Sequence, residues 1–304
     1  MNDPIASITV TFNAEALIAE HLRLLQGQTH RLSEIVVVDN ASSDGTLAVL
    51  AEEFPEATVL ALPANVGVGG GYAAGLSYAL GKRHQSFWTL DQDSRPEPDC
   101  LQELVAAMHC GGGAKPIALL APRSRNLATG VDYAGFGWRN GVVKLPDDER
   151  ATVQWVDVVI SSGSLISAQA VTAAGLPRED FFMDFVDFEY CLRLRRLGYS
   201  IGVVRKAVMW HAVGLPEQRR FLGIPWVWAT HVPWREYYKI RNQTFTIWHG
   251  QPTFMGKLYL MRKFLRHAMA VVIFDRQKFR RLRFMIAGLR DGIRGKLGVV
   301  MKPV

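Results

Sequence analysis

The sequence predicts an α/β protein in which a mostly parallel sheet is flanked by helices and followed by a helical C-terminal region. Three observations support this prediction. Short apolar segments alternate with helical patterns up to Pro122, polar and glycine-rich segments follow, and the pattern is helical from Trp234 almost to the end. Repeated strand and helix in this order is typical of parallel strands joined by helices on both faces of a sheet.

Five apolar segments bounded by turn residues predict the strands of the first half, at residues 5–12, 35–39, 58–62, 87–90 and 117–121. Helical patterns lie between them at 14–25, 44–53, 70–80 and 98–108, the second beginning at an N-cap pair, Ser42 and Ser43. The glycine-rich segment 135–143 predicts hairpins and loops. Regular structure is expected again at 156–160, 201–204 and 207–210, with a helix at 186–197. Ligands of such a sheet bind at the carboxyl ends of its strands.

Length and cysteine usage narrow the class of protein. A chain of 304 residues buries enough surface to fold without disulfides or a structural metal. The three cysteines are odd in number and widely spaced, which predicts buried thiols in a reducing compartment rather than a disulfide framework. Residues 1–13 lack the basic segment of a secretory signal, and the apolar stretch 268–274 is too short to cross a bilayer. We therefore expect a cytoplasmic protein.

The positive charge of the chain lies in its C-terminal part. Residues 255–304 contain 13 lysines and arginines but only two acids, a net charge of +11. Since the whole chain carries +7, the first 254 residues carry −4. An acidic body gives no basic groove for nucleic acid, so we expect none to bind. The basic, amphipathic C-terminal part instead predicts either a helical cap on the domain or a helix on an anionic membrane surface.

Polar side chains follow three of the predicted strands. Asn13 follows the first, Asp39 and Asn40 the second, and Asp91 with Asp93 the fourth. Two carboxylates at this spacing are hard oxygen ligands that would hold Mg²⁺ or Mn²⁺ beside a diphosphate, although a solvated turn is the simpler alternative. His211, which follows a later strand, is either a packed core histidine or a third metal ligand.

Residues 65–76 form a glycine-rich segment that runs into a predicted helix. Its backbone N–H groups are suited to facing a phosphate. Gly69, Gly71 and Ala74 also fit a dinucleotide-binding pattern, with Asp91 as the acid that follows, so a nicotinamide-dependent oxidoreductase is an alternative. Against it, the segment follows the third strand, whereas that pattern opens the first strand–helix–strand unit.

Acidic residues precede a basic amphipathic helix at residues 181–199. Asp184 and Glu189 are well placed merely to complement a helix dipole. Asp187 lies between Phe185, Val186 and Phe188, an apolar setting that raises the basicity of a carboxylate. We therefore expect Asp187 to be a general base.

Eight segments together make the chain resemble a family 2 glycosyltransferase of the GT-A fold, in particular the bacterial rhamnosyltransferase-like branch. In order they are VTFN, VVDNASSDGT, NVGVGGGYAAGL, LDQD, SSGSLIS, FVDFEYCLRLRRLGY, WHAVG and YYKIRN. The similarity covers residues 7–242. Two departures are visible: Val186 stands where the family often has Glu, leaving Asp184 as a substitute, and Tyr72 and Ala73 replace Asn residues that many members carry.

The resemblance implies roles for individual residues. The donor-binding residues are expected to be Thr11, Asn13, Asp39, Asn65, Gly70 and Asp91. Asp93 and His211, with Asp91 as a further ligand, are expected to hold Mg²⁺ or Mn²⁺. Asp187 matches the general base. Acceptor binding is assigned to Ser162, Gly163, Asp184 and Arg241.

The expected activity is an inverting, metal-dependent transfer of a sugar from a nucleoside-diphosphate sugar to a saccharide or polyprenyl-linked acceptor in cell-surface polysaccharide synthesis. L-Rhamnose from dTDP-rhamnose is the first expectation, and a UDP-hexose or UDP-galactofuranose is the alternative. A non-catalytic glycan-binding protein of the same fold is a further alternative. The catalytic domain is expected at residues 1–232, with a nucleotide-sugar half at 1–122 and an acceptor half at 123–232. The basic region 233–304 is expected to lie at the inner face of the plasma membrane. The chain truncated before Met255 is expected to retain its activity on a soluble acceptor.

Overall fold

The computed structural model describes residues 4–111, 115–127, 130, 132–133, 135–137, 141–142, 152–211, 216–221, 224–229 and 231–300. Its first half alternates strands and helices: β1 Ile5–Thr11, α1 Ile18–Gln26, β2 Glu34–Asp39, α2 Thr46–Glu53, β3 Thr58–Ala61, α3 Gly67–Gly81, β4 Ser86–Asp91, β5 Arg95–Pro96, α4 Cys100–Cys110 and β6 Ile117–Asn126. The predicted alternation is confirmed.

The middle of the chain contains short strands and three helical segments. They are β7 Asp132–Tyr133, β8 Phe136–Gly137, β9 Gly141–Val142, β10 Val153–Val156, β11 Ser164–Ser167, α5 Ala168–Ala174, a 3-10 turn at Glu179–Phe181, α6 Val186–Arg196, β12 Ser200–His211, β13 Pro216–Phe221 and β14 Ile224–Ala229.

The predicted strand at 156–160 lies instead at β10. The two strands predicted at 201–204 and 207–210 are one, β12, interrupted by an irregularity between Val204 and Val208. Strands β8 and β9 form a hairpin within 135–143; residues 138–140 and 143 lie outside the described residues.

The central sheet has the order β10-β12-β6-β11-β4-β1-β2-β3. Strands β3, β2, β1 and β4 are parallel, and so are β6 and β12, whereas β11 runs antiparallel between these two groups. The sheet is therefore parallel from β3 to β4 and mixed beyond β4. Every residue of β1 is buried, because helices cover both faces. Ile8 and Val10 pack toward α3, and Ile5 packs toward α1 and α4.

Three helices complete the chain: α7 Arg235–Trp248, α8 Phe254–Phe274 and α9 Lys278–Ile293. Helices α7 and α9 approach closely, since a Cβ at Gly288 would lie 2.4 Å from the carbonyl oxygen of Tyr237 and one at Gly292 would lie 2.5 Å from that of Arg241. The glycines thus permit close helix packing. In the described part of the chain, no helix combines the length and hydropathy required to cross a bilayer.

Two local expectations are wrong. Helix α2 begins at Thr46 with Gly45 as its N-cap, and Asp44 rather than Ser42 or Ser43 accepts the Thr46 N–H. The three cysteines are reduced, but only Cys100 and Cys191 are buried, because Cys110 ends α4 at the surface.

Candidate active site

The carboxylate pair lies where β4 ends. Asp91 is the last residue of β4, and Asp93 follows in the turn that leads to β5. Strand β12 pairs with β5 through Trp210 and Arg95, which brings His211 to this turn. His211 Nε2 lies 3.7 Å from Asp91 Oδ2, and its Nδ1 lies 3.2 Å from Asp93 Oδ1. The predicted convergence of Asp91, Asp93 and His211 is confirmed by this geometry.

These three side chains fit a divalent cation. Each offers one ligand atom, and the three atoms lie within 4.8 Å of one another. Nδ1 of His211 is buried, and no hydrogen-bond partner with good geometry is found for it among the described residues. Two carboxylates and an imidazole are a suitable ligand set for Mn²⁺, and the carboxylates also suit Mg²⁺.

The electrostatics of the pair reflect burial and mutual charge. Burial, followed by the Asp93 charge, raises the pKa of Asp91, although His211 and Tyr72 act in the opposite direction. Burial alone would lower the pKa of His211, but the close Asp93 carboxylate and the negative charge of Asp91 raise it overall. A cation at this position would relieve the repulsion between the carboxylates.

Tyr72 joins the carboxylate pair to the rest of the site. Tyr72 is a buried residue of α3, and its hydroxyl donates a hydrogen bond of 2.7 Å to Asp91 Oδ1. The sequence marked Tyr72 only as a departure from the family pattern, and no signal in the residues themselves placed it at Asp91. We now count it among the site residues.

Ser162 and Gly163 support the end of β4 from beneath. The Ser162 hydroxyl accepts the Asp91 N–H at 3.1 Å, and Gly163 donates its N–H to the Thr89 carbonyl at 2.7 Å. Gly163 has a φ of +82°, and a Cβ there would lie 2.7 Å from both Met209 Sδ and Pro122 Cγ. Both residues therefore hold the strand end, and the acceptor-binding role expected of them stays a prediction.

The donor-side residues line the carboxyl ends of β1 and β2. Asp39 is buried; its Oδ2 accepts the Ser42 N–H, and its Oδ1 has no partner among the described residues. Thr11 donates its hydroxyl to Gln92 Oε1 at 3.0 Å. Asn13, with a φ of +50°, accepts the Ser43 N–H at 2.8 Å. Asp39 thus offers a free acceptor to a ligand, whereas Thr11 and Asn13 shape the surrounding loops.

The glycine-rich segment is mostly helical, because α3 begins at Gly67. A Cβ at Gly69 would lie 2.4 Å from the Arg178 carbonyl oxygen, and one at Gly71 would lie 2.6 Å from Val10 Cγ1. These glycines let α3 lie close to its neighbours, which accounts for the pattern without a bound dinucleotide. Asn65 accepts the Gly67 N–H at 2.9 Å, and Gly70 lies in the first turn of α3.

Asp187 lies in the first turn of α6, beside an apolar pocket. The pocket is lined by Tyr72, Thr89, Ser161, Val186 and Tyr190, among others, so it adjoins the Tyr72–Asp91 contact. Asp187 Oδ1 accepts the Phe188 N–H at 2.8 Å. Burial raises the pKa of Asp187 to about 6, against the opposing effects of this hydrogen bond and the Lys263 charge. A carboxylate with this pKa is a suitable general base near neutral pH.

Lys263 reaches this region from α8. Its Nζ lies 4.5 Å from the ring centroid of Phe188 and 5.5 Å from that of Phe185. Burial lowers the pKa of Lys263 to about 8, and the charge of Lys239 acts in the same direction. No sequence pattern predicts this contact, since Lys263 lies in the basic C-terminal region that predicts a helical cap or a membrane-surface helix.

Asp184 forms an ion pair with Arg235. Arg235 donates to both of its carboxylate oxygens, at 2.8 and 3.0 Å. Burial opposes ionisation of Asp184, but Arg235 lowers its pKa overall. Asp184 therefore remains ionised and paired, which makes it a poor substitute for the Glu that the family often carries at position 186.

Arg241 does not face an acceptor. Its side chain is fully buried, and its guanidinium donates to the carbonyl oxygens of Gly298, Asp180 and Phe181. The expected acceptor contact is wrong because these bonds use the guanidinium to fasten α7 to the segment before α6.

Comparison with known proteins shows that the chain is similar to glycosyltransferases. Residues 7–114 match the family described as Glycosyl transferase family 2. The dTDP-rhamnosyl transferase RfbF of Shigella flexneri is 26% identical over 98% of both chains. The galactofuranosyltransferase GlfT1 of Mycolicibacterium smegmatis is 26% identical over 72% of this chain and 74% of its own.

Two solved structures share the fold. TarS of S. aureus is 18% identical with a TM-score of 0.62, covering 96% of this chain and 49% of TarS, so this chain spans about half its length. GalNAc-T7 with UDP, GalNAc and Mn²⁺ is 14% identical with a TM-score of 0.63, covering 96% of this chain and 56% of that one. These comparisons agree with the resemblance seen in the motifs: the chain has the GT-A fold, its residues 7–114 match the family 2 glycosyltransferase model, and it is similar over nearly its whole length to a bacterial rhamnosyltransferase.

Proposed function

We propose that this protein is an inverting glycosyltransferase in which Asp187 is the general base. The observation that carries the proposal is the position of Asp187, half-buried beside a pocket that also contains Tyr72, the hydrogen-bond donor to Asp91. Asp187 thus adjoins the same pocket as the tyrosine that contacts Asp91, and this proximity supports a direct displacement. No covalent enzyme intermediate is required.

The reaction balances as a single displacement. Asp187 accepts the proton of the acceptor hydroxyl while that oxygen forms a bond to the anomeric carbon of the donor. The bond from the anomeric carbon to the diphosphate breaks, and the diphosphate leaves with the electron pair. A divalent cation held by Asp93 and His211, with Asp91, would neutralise the charge that develops on the diphosphate.

The chain offers one suitable base rather than two. Asp184 remains bound to Arg235 at hydrogen-bond distance through both oxygens, so accepting a proton there would cost that ion pair. Within the described part of the chain, Asp187 has no arginine partner of this kind, and burial raises its pKa to about 6. The proton is therefore assigned to Asp187, and Asp184 positions the loop before α6.

The donor is proposed to be dTDP-rhamnose, supported by the similarity to RfbF over nearly the whole chain. A UDP-hexose or UDP-galactofuranose is the second candidate, supported by the similarity to GlfT1. The acceptor is proposed to be a saccharide or a lipid-linked saccharide of a cell-surface polysaccharide.

A panel of donors tests this proposal. The purified chain with Mn²⁺ is mixed with dTDP-rhamnose, UDP-galactose, UDP-galactofuranose or NADH, and its melting temperature is measured. A ligand at a hundredfold excess over its Kd stabilises the folded state by about 2.7 kcal/mol. The correct donor should therefore raise the melting temperature clearly more than the other ligands do. Release of nucleoside diphosphate, with and without acceptor, is measured in parallel.

Each outcome bears on a different candidate. Stabilisation by a nucleotide sugar together with metal-dependent release of the diphosphate supports the proposal. Stabilisation by NADH alone would favour the oxidoreductase alternative. Binding of sugar nucleotides without any release, under conditions that include acceptor oligosaccharides, would favour a non-catalytic glycan-binding protein.

A further inference from the structure

Helix α8 carries an uncovered apolar stripe. Its exposed apolar residues recur at intervals of three and four along the helix, so they share one face. They are Phe254, Leu258, Met261, Leu265, Met269 and Val272, and each is between 47% and 78% exposed. Helix α9 adds Phe279, Ile286 and Ile293 at intervals of seven, all exposed. Monomeric proteins rarely expose an apolar surface of this extent without a partner for it.

The surface around the stripe is cationic. Lys257, Arg262, Arg276, Arg280 and Arg283 are exposed on α8, α9 and the turn between them. The two acidic side chains of residues 255–304 point inward: Asp275 pairs with Arg281 at 2.7 Å, and Asp291 accepts the Tyr237 hydroxyl at 2.9 Å. Both carboxylates are less than a tenth exposed. The outer face therefore presents apolar and positive side chains together.

The apolar stripe and its cationic rim together favour an anionic lipid surface over a second copy of the chain as the binding partner. A second copy of the chain, related by twofold symmetry, would bring the same cationic rim against itself, which is unfavourable. An anionic lipid surface satisfies both features, because the apolar stripe enters the acyl boundary while the lysines and arginines meet the head groups.

The opposite side of α8 faces the active site. Leu260, Ala270 and Val271 are buried there, and Lys263 lies over the rings of Phe185 and Phe188, which flank Asp187. An α-helix with its side chains is about 10 Å across. The stripe and the segment that carries the base are thus separated by about one helix diameter.

We infer that α8 and α9 dock the enzyme on an anionic membrane through the stripe and its cationic rim, so that Asp187 is held about one helix diameter from the lipid head groups. An acceptor attached to a lipid would present its saccharide at this level. The statement about the acceptor rests on the proposed glycosyl transfer, whereas the membrane contact does not depend on it.

Flotation of the full chain with vesicles tests the inference. The vesicles contain phosphatidylglycerol with phosphatidylethanolamine, or phosphatidylcholine alone, at low and high salt. Binding is expected to the anionic vesicles and to weaken as salt screens the charges. The double variant Leu258→Gln/Leu265→Gln is expected to bind about tenfold more weakly. Neutralising Lys257 or Arg262 should lower binding about fivefold each, as expected for one charge near an anionic surface.

A matched control tests whether the loss of binding is specific to leucines of the stripe or occurs with any pair of exposed leucines. Leu47→Gln/Leu197→Gln changes two exposed leucines on α2 and at the end of α6, and it should bind like the wild type. Melting temperatures of both double variants verify that they fold. The inference is wrong if the wild type does not bind at low salt, or if the Leu258/Leu265 variant binds unchanged. A wild-type dimer that this variant converts to a monomer, without lipid binding, would also overturn it and assign the stripe to a second copy. Donor binding in solution is measured separately, so failure here leaves the glycosyltransferase assignment intact.

Discussion

Asp187 accepts a proton only when it is ionised, and its pKa is raised to about 6 by burial. Activity should therefore fall about tenfold per pH unit below pH 6. The positive charge of Lys263 favours the ionised carboxylate. Lys263→Met removes that charge, so the acid limb of the kcat/KM profile should move to higher pH, with activity reduced several-fold at pH 6 and little changed at pH 8.

The control for this prediction lies on the same helix. Lys257→Met removes an exposed cation whose charge is screened by water, so its pH profile should match the wild type. An unshifted profile in Lys263→Met would show that this lysine does not act on the proton acceptor.

Asp93 is expected to be the main cation ligand. Asp93→Ala should abolish most Mn²⁺-dependent donor binding, because a carboxylate is the stronger ligand for this hard ion, and His211→Ala should cause a smaller loss. Asp91→Ala should weaken donor binding as well. Calorimetric titration of the donor with and without Mn²⁺ measures these effects. Unchanged donor affinity in Asp93→Ala and Asp91→Ala would disprove the metal assignment.

The sequence predicted the residues of this site that follow strands. Asp39, Asp91 and Asp93 come after apolar segments, and parallel strands deliver their carboxyl ends to one edge. Tyr72 and Lys263 were not predictable in the same way, because each reaches the site from a helix. A helical pattern shows which face is apolar but not which neighbour that face meets.

At the scale of elements, the close packing of α7 and α9 requires glycine at position 292. A Cβ there would lie 2.5 Å from the Arg241 carbonyl oxygen and 2.8 Å from Thr244 Cβ. Gly292→Ala should therefore lower the free energy of unfolding by about 1–3 kcal/mol, although alanine is the better helix former. Thermal or urea unfolding measures the change.

Gly81→Ala is the matched control for this packing. Gly81 ends α3, and a Cβ there has nothing within 4 Å, so the substitution should be neutral or stabilising by up to about 1 kcal/mol. Equal effects of the two substitutions would contradict the packing explanation.

Glycines were the least predictable feature of the elements. In α3 they suggested a phosphate-binding loop, yet a Cβ at Gly75 would lie 2.4 Å from Ile8 Cγ2. The sequence pattern is the same for a loop that approaches a ligand and a helix that approaches a strand. Only the tertiary neighbours distinguish the two.

At the scale of the molecule, α8 and α9 are bound to α7, and Arg241 of α7 donates to the carbonyl oxygens of Asp180 and Phe181 in the segment before α6. Glu236 on α7 accepts from His267 on α8 at 2.7 Å and from Arg281 on α9 at 3.2 Å. Burial opposes ionisation of Glu236, but these partners lower its pKa to about 2. Arg241 and Tyr238 also bind the backbone of Gly298 and Val300.

Truncation before Met255 is therefore expected to destabilise the whole protein rather than release an independent catalytic domain. It would remove His267 and Arg281 from buried Glu236 and expose Ile240, and breaking a buried ion pair alone costs about 3–5 kcal/mol. This revises the expectation that the truncated chain remains active on a soluble acceptor. A truncated protein that melts at the wild-type temperature would restore the original expectation.

The assignment of Asp187 as the base is tested most directly by Asp187→Asn, with Asp184→Asn as its control. The measurement is kcat with the donor that the thermal-stability panel identifies, together with the Kd of that donor by calorimetry. Asn keeps the shape of the side chain but accepts no proton, so kcat should fall by about 10²- to 10⁴-fold while the donor Kd barely changes. Asp184→Asn should lose stability with Arg235 unpaired and retain more activity than Asp187→Asn. Normal turnover in Asp187→Asn, combined with an inactive but folded Asp184→Asn, would contradict the account and place the base at Asp184.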